Sequence, residues 1–166
     1  MMKQLKTLVI ATIAFFGAQT MNAQAKVAHV DVNELMGKMP AMLDAQNQLK
    51  KLSETYDKDY KIMVDEYQVK IKKYDVEAST VTDAVNQTRQ TEVQDMIKRI
   101  NDFKETAQSD LQKKEGDLMK PLLEKVKASI LKVGKAKGYQ YVLNATDLLL
   151  TDGPDLTADI KKDLGF

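Results

Sequence analysis

Apolar side chains recur at helical spacing along the middle of the chain. Between residues 52 and 74 they are separated by steps of four, four and three residues, repeated once. This period of about 3.67 residues follows one face of a nearly straight α-helix, whereas a strand would need a period of two. The other faces carry lysine, aspartate, glutamate and glutamine, so the pattern predicts an amphipathic helix with one narrow stripe. The stripe consists of Leu52, Tyr56, Tyr60, Met63, Tyr67, Ile71 and Tyr74.

A second stripe follows after a break in the pattern. Polar residues interrupt it at 78–83, where Thr80 and Asp83 resemble a capping box that opens a new helix. The predicted helices, 41–78 and 83–120, are equally long, roughly 57 Å each at 1.5 Å per residue. Because a long helix with a narrow stripe is unstable alone and the connection is short, we predict an antiparallel helical hairpin with the tyrosines in its seam. The second helix contributes Val93, Met96, Ile100 and Phe103 to that seam.

A sparser apolar line lies on the first predicted helix, away from its stripe. Ile62, Val69 and Val76 follow one another at intervals of seven residues, among charged neighbours. Two interpretations are open for these side chains. They either widen the seam of the hairpin, or they form an exposed apolar surface that contacts another molecule.

The segments on either side of the hairpin have shorter patterns. Residues 26–32 are β-rich and precede Asn33, which is suited to cap a short helix, and Pro40 is suited to open the first long helix. After Pro121, which we expect to end or kink the second long helix, an amphipathic helix follows over 122–137.

Two further strands and a last helix complete the pattern. Gly138 stops the preceding helix, short strands are predicted at 139–144 and 147–151 around a tight turn, and a small helix ends at Gly165.

The expected fold class is therefore α+β and mostly helical, with a small body formed by both chain ends. Residues 26–40 and 121–166 form that predicted body, and the hairpin over 41–120, with its tip near 78–83, is inserted between them. A body of about 60 residues with three short strands is marginally stable and leaves open sheet edges. We therefore expect oligomerisation through the strands, by Val27, Val30, Val32, Tyr141, Val142, Leu143, Leu148, Leu149 and Leu150.

The first 25 residues have the three parts of a cleaved secretory signal. Lys3 and Lys6 precede the apolar run at 7–18, which is too short to span a bilayer, and Ala23-Gln24-Ala25 is a small-residue cleavage site. Cleavage after Ala25 predicts an exported protein. The sequence contains no cysteine, so no disulfide bond holds the fold in an oxidising compartment.

Charge and residue types exclude several functions. Removing two lysines with the signal leaves 23 basic against 24 acidic residues, which argues against nucleic-acid binding. No Gly-rich phosphate loop, nucleophile motif or metal-ligand spacing is present, so we expect no enzyme, no cofactor and no metal. The single histidine, His29, is expected to be a packed strand residue, and 152–155 (DGPD) is expected to be a turn.

The layout resembles the Skp family, the OmpH-like periplasmic chaperones. The specific part is Lys120–Leu164, with its Pro-led helix, the strand GYQYVL at 138–143 and the Asp-Leu-Thr entry at 155–157 to the last helix. The resemblance implies a homotrimer in the periplasm of a Gram-negative bacterium, with a central β-body and three helical arms around a cavity. Such a chaperone holds unfolded outer-membrane β-barrel proteins without ATP, and Ile62, Val69 and Val76 become candidate client contacts.

One departure from the family concerns charge. The well-known members are strongly basic, whereas this chain has a formal charge of −1 after the signal is removed, so no lipid or lipopolysaccharide site is carried over. A different class of function also fits the sequence: an exported coiled-coil adaptor that binds one folded envelope partner. A lipid-surface helix fits less well, because the flanks of the stripes carry both signs of charge.

Overall fold

The structure, a computed structural model, describes residues 25–166 and is mostly helical. The export segment predicted over 1–25 lies outside this range, except for its final residue. The elements in chain order are β1 (Val27–Val30), α1 (Val32–Lys38), α2 (Pro40–Glu77), α3 (Asp83–Ala136), β2 (Tyr141–Asn144), a 3₁₀ turn (Ala145–Asp147) and α4 (Thr157–Leu164). The predicted class, mostly helical α+β with a small sheet made from both ends, is confirmed.

The described residues form two compact units. One unit, here called the body, combines the residues up to Leu35 with Lys127–Phe166, and the other, here called the arm, is Met36–Val126. The sequence pattern predicts boundaries at 40/41 and 120/121. None of the helices in residues 25–166 is long and apolar enough to cross a bilayer.

A parallel pair of strands forms the sheet of the body. Val27 lies opposite Tyr141, and the register continues to Val30 opposite Asn144. The other edge of β1 is covered by the chain entering α4, because the His29 amide donates to the Pro154 carbonyl over 2.9 Å and the Leu156 amide donates to the His29 carbonyl over 2.9 Å. His29 itself is 8% exposed, which makes it a packed strand histidine as predicted.

The core of the body lies between the sheet and the helices. Leu35 of α1 and Ile160 of α4 are fully buried, together with Val30 and Leu156. Gly134 of α3 approaches β2 so closely that an added Cβ would lie 2.9 Å from Val142 Cγ2. The body therefore has a small, fully packed apolar centre.

Part of the predicted strand assignment is wrong. Val32 begins α1 instead of extending β1, and Leu148, Leu149 and Leu150 lie in no strand. The Asn144 side-chain amide donates to Thr146 Oγ1 over 2.6 Å and helps to form the 3₁₀ turn that ends β2. Within residues 25–166 the sheet consists of β1 and β2, and the three leucines take no part in it.

Two predicted helix caps are also wrong. Asp31, instead of Asn33, caps α1, since its Oδ1 accepts the Glu34 amide over 2.8 Å. The hydroxyl of Thr82 accepts the Val85 amide over 3.4 Å at the start of α3, where the sequence suggested Thr80. In both places the cap is the residue immediately before the first helical position, the position that a capping side chain requires.

Of the two outcomes expected at Pro121, an end or a kink of the second long helix, the end is wrong. α3 continues without a break over 54 residues from Asp83 to Ala136. Pro121 and Asp117, whose carbonyl loses its partner amide, are both exposed, so water can satisfy that carbonyl. The helix ends instead at Gly138, which has the left-handed φ of 76° that favours glycine.

Candidate binding and assembly surfaces

The residues predicted for the seam lie on the two long helices of the arm. All of these positions are half-buried except Tyr60, which is 40% exposed. Tyr56 and Phe103 pack edge to face, with ring centroids 5.9 Å apart. The Tyr56 hydroxyl donates to Asp110 over 3.0 Å, and this hydrogen bond raises the pKa of the tyrosine. A tyrosine in this seam thus buries its ring and keeps its hydroxyl at the edge.

A polar cluster links the helices near the tip of the arm. Lys70 and the Tyr74 hydroxyl both donate to the Glu92 carboxylate, and these hydrogen bonds hold the pKa of Glu92 below its ordinary value. Arg89 pairs with Glu77 and lies over the Tyr74 ring, 4.5 Å from its centroid. The cluster fixes the register of the two helices and engages two of the basic side chains near the tip.

The apolar line of α2 is exposed. Ile62, Val69 and Val76 are 47%, 68% and 79% exposed, which is incompatible with a widened seam within this chain. At seven-residue intervals they are roughly 10.5 Å apart along the helix. Between these three residues the helix surface carries exposed charged side chains such as Asp65 and Lys72.

In the body, the free edge of β2 and the segment after it expose apolar side chains. Tyr141 is 58% exposed and Leu143 is 40% exposed. Leu149 and Leu150 are 108% and 80% exposed, which is unusual for adjacent leucines. Among the other residues predicted for assembly, Val27 is 41% exposed, Val142 and Leu148 are half-buried, and Val32 is half-buried in α1.

Val30 does not belong to that surface. It is 2% exposed and forms part of the core of its own chain. Sequence alternation within a four-residue strand could not distinguish a core position from an assembly position, because both are apolar.

Sequence reasoning missed a groove beside the seam of the arm. It has a volume of about 580 Å³ and lies where Tyr56, Tyr60, Phe103 and Leu111 surround the small side chain of Ala107. The signal in the sequence was the alanine itself, which stands in the second stripe between two large apolar residues. Within residues 25–166 no group of three or more histidine, aspartate or glutamate side chains is placed to hold a metal ion.

Comparison with known proteins identifies a family and several solved structures with a similar fold. The model of the family described as outer membrane protein (OmpH-like) matches residues 26–164. A crystal structure from Caulobacter crescentus CB15, described as a candidate OmpH-like outer membrane chaperone, is similar with a TM-score of 0.77. It is 13% identical, and the alignment covers 86% of this chain and 85% of that chain, so the likeness shows a shared fold. Comparison with curated protein sequences gave no match.

Proposed function

The chain belongs to the OmpH-like outer membrane protein family, since that family's model matches residues 26–164, and we propose that it is an ATP-independent holdase chaperone of the periplasm. Its clients are unfolded outer-membrane β-barrel proteins, which it keeps from aggregating until they are inserted. The observation that carries the proposal is the exposed line of Ile62, Val69 and Val76 on an otherwise charged arm. A holdase needs apolar contact that is weak, repeated and non-directional, and isolated aliphatic side chains on a rod supply it.

Assembly into a homotrimer is part of the proposal. The exposed edge of β2 and the exposed Leu149 and Leu150 support it, because an open edge and adjacent exposed leucines are otherwise a liability for aggregation. Three copies that cover these surfaces with one another would bring three arms together around one client.

Electrostatic attraction contributes little to the proposed binding of clients. Lys70 and Arg89, which are basic residues near the tip, are already engaged with Glu92 and Glu77. We therefore expect client binding to change little between low and moderate salt, in contrast to a chaperone with free basic arms.

The first test measures the mass in solution of the protein without its signal, alone and with a urea-unfolded outer-membrane barrel diluted into buffer without ATP. A trimer that keeps the barrel soluble in a defined complex supports the proposal. A monomer or dimer that lets the barrel precipitate, yet binds a single folded envelope protein tightly, would favour the adaptor function instead.

A variant that replaces the exposed apolar residues of α2 tests whether they bind the client. Changing Ile62, Val69 and Val76 to serine leaves the seam intact, so helicity and thermal unfolding should change little. Holding of the barrel should weaken, because the removed side chains are the apolar contacts. Holding that is unchanged would show that this line is not the client surface.

A further inference from the structure

The groove beside the seam of the arm has a composition that points to a peptide backbone as its ligand. Its floor is apolar, with the aromatic rings of Tyr56, Tyr60 and Phe103 on either side of Ala107. Its rim carries Ser53, Gln108 and Gln112. A hydroxyl and two carboxamides can each donate and accept hydrogen bonds, as required to pair with both the N–H and the C=O groups of a backbone.

The uncharged polar side chains of the rim are available to hydrogen-bond with a ligand. Within the described part of the chain, Ser53, Gln108 and Gln112 form no side-chain hydrogen bond with another residue. The charged rim residues are Asp57, Lys104 and Glu115, which provide both signs of charge. This mixture attracts neither an anionic lipid nor a strongly basic segment, and it favours an uncharged ligand.

The length of the groove matches a short extended segment. Its residues on α3 run from Phe103 to Glu115, roughly 18 Å at 1.5 Å per residue. An extended strand rises about 3.3 Å per residue, so the groove accommodates about five residues. Because alternate side chains of a strand point to opposite faces, an alternating segment presents its apolar side to the aromatic floor and its polar side to water.

We propose that this groove binds an extended segment of about five residues, with alternating apolar and polar side chains, from an unfolded β-barrel client. The proposal rests on the holdase function and adds a second, structured site to the exposed line of α2. The side chains of Ser53, Gln108 and Gln112 hydrogen-bond to the client backbone, and this part of the recognition does not depend on which side chains the client carries. The aromatic floor selects for alternation, the pattern that strands of a membrane barrel share.

The absence of cysteine from the sequence permits a matched crosslinking test. Ser53→Cys places a thiol in the groove, and Ser109→Cys places one on an exposed position of α3 that does not line it. Each variant is labelled with a thiol-reactive benzophenone and irradiated with a urea-unfolded barrel. Crosslinks from position 53 should be several-fold more abundant than those from 109 and should fall on alternating strand segments. Equal yields from the two positions, or crosslinks spread evenly over the client, would overturn the proposal.

A second matched pair tests the hydrogen-bonding rim without a label. Gln108→Ala with Gln112→Ala should weaken binding of the unfolded barrel roughly five- to 150-fold, the loss expected for two neutral hydrogen bonds. The control, Gln90→Ala with Gln94→Ala, changes two exposed glutamines with the same spacing on the same helix outside the groove and should leave binding unchanged.

The outcomes separate this proposal from the function on which it rests. If the wild-type protein holds the barrel and the two double glutamine variants bind it equally well, the groove is not a client site and the holdase function stands. If the unchanged protein holds no barrel, the holdase function is wrong and the groove proposal is wrong with it.

Discussion

The body and the arm are stabilised in different ways. The body has fully buried side chains, such as Leu35 and Ile160, around a sheet that joins distant parts of the sequence. In the arm, no residue between 46 and 106 is fully buried. Its two helices carry half-buried aromatic and aliphatic side chains at the predicted seam, and the polar cluster joins them near the tip. A small core depends on each of its side chains, whereas a long seam distributes its stability over many weak contacts.

The largest expected difference is between two isoleucines. Ile160→Ala removes a fully buried side chain of the body and should cost about 2–5 kcal/mol of unfolding free energy. Ile97→Ala, in the arm, removes a side chain that is 41% exposed and should cost about 1 kcal/mol or less. Urea denaturation of both variants measures the difference, and equal costs would refute the contrast between core and seam.

Substitutions in the predicted seam should destabilise the arm and leave the body folded. Changing Tyr60 and Tyr67 together to alanine should cost the arm roughly 2–3 kcal/mol, less than two fully buried rings would cost. Amide hydrogen exchange should accelerate along α2 and the facing part of α3 and remain slow at β1 and β2. If exchange and thermal unfolding were unchanged, the tyrosines would not hold the seam.

Two glycines of α3 should respond in opposite directions to the same substitution. Gly134→Ala places a Cβ 2.9 Å from the stiff side chain of Val142 and should destabilise the body by about 1–2 kcal/mol. Gly116→Ala meets nothing within 4 Å and should stabilise the arm by about 0.5–1 kcal/mol, through helix propensity. Thermal unfolding of the two variants decides the matter, and shifts of the same sign would contradict the packing argument.

The smallest expected effect is a pH dependence of stability near the tip of the arm. The pKa of Glu92 is lower in the folded protein than its ordinary value of 4.5. The charged side chain therefore stabilises the folded state fully above pH 4.5, and this stabilisation is lost as the pH falls through the pKa of the folded state. Glu92→Gln should therefore accelerate exchange near the tip at pH 7, and this acceleration should decline as the pH falls below 4.5. An acceleration that does not change with pH would mean that the charge of Glu92 contributes nothing.

The arm could be predicted from the sequence because its signal is long and periodic. The stripe from Leu52 to Tyr74 repeats over six turns, and the polar break at 78–83 separates it from the next helix, which begins at Asp83. A single misplaced residue cannot change such a pattern, so the predicted bounds of α2 and the predicted start of α3 agree with the structure to within a residue, whereas the predicted end of α3 does not.

The body could not be predicted as well, because its elements are short and decided by tertiary contacts. Val32 and Leu148–Leu150 are apolar and suit a strand, yet the cap at Asp31 and the turn after Asn144 direct the chain elsewhere. The parallel pairing of β1 with β2 has no local signal, since the two strands are joined through both long helices. The groove was missed because it depends on which side chains face each other across the seam.

The pairing of the two chain ends has a consequence for the order of folding. Contacts of the arm are closer in sequence than those that join the chain ends. Tyr74 and Glu92 are 18 residues apart and Tyr56 and Asp110 are 54 apart, whereas Asp31 and Thr157 of the body are 126 apart. Local contacts form faster than distant ones, so we expect the arm to fold while the body is still open. A chain that emerges N-terminus first must then keep β1 unpaired until its last residues arrive. The strand VAHV is only four residues long. So short a strand offers few backbone groups for pairing with another chain, which limits aggregation before β2 is available.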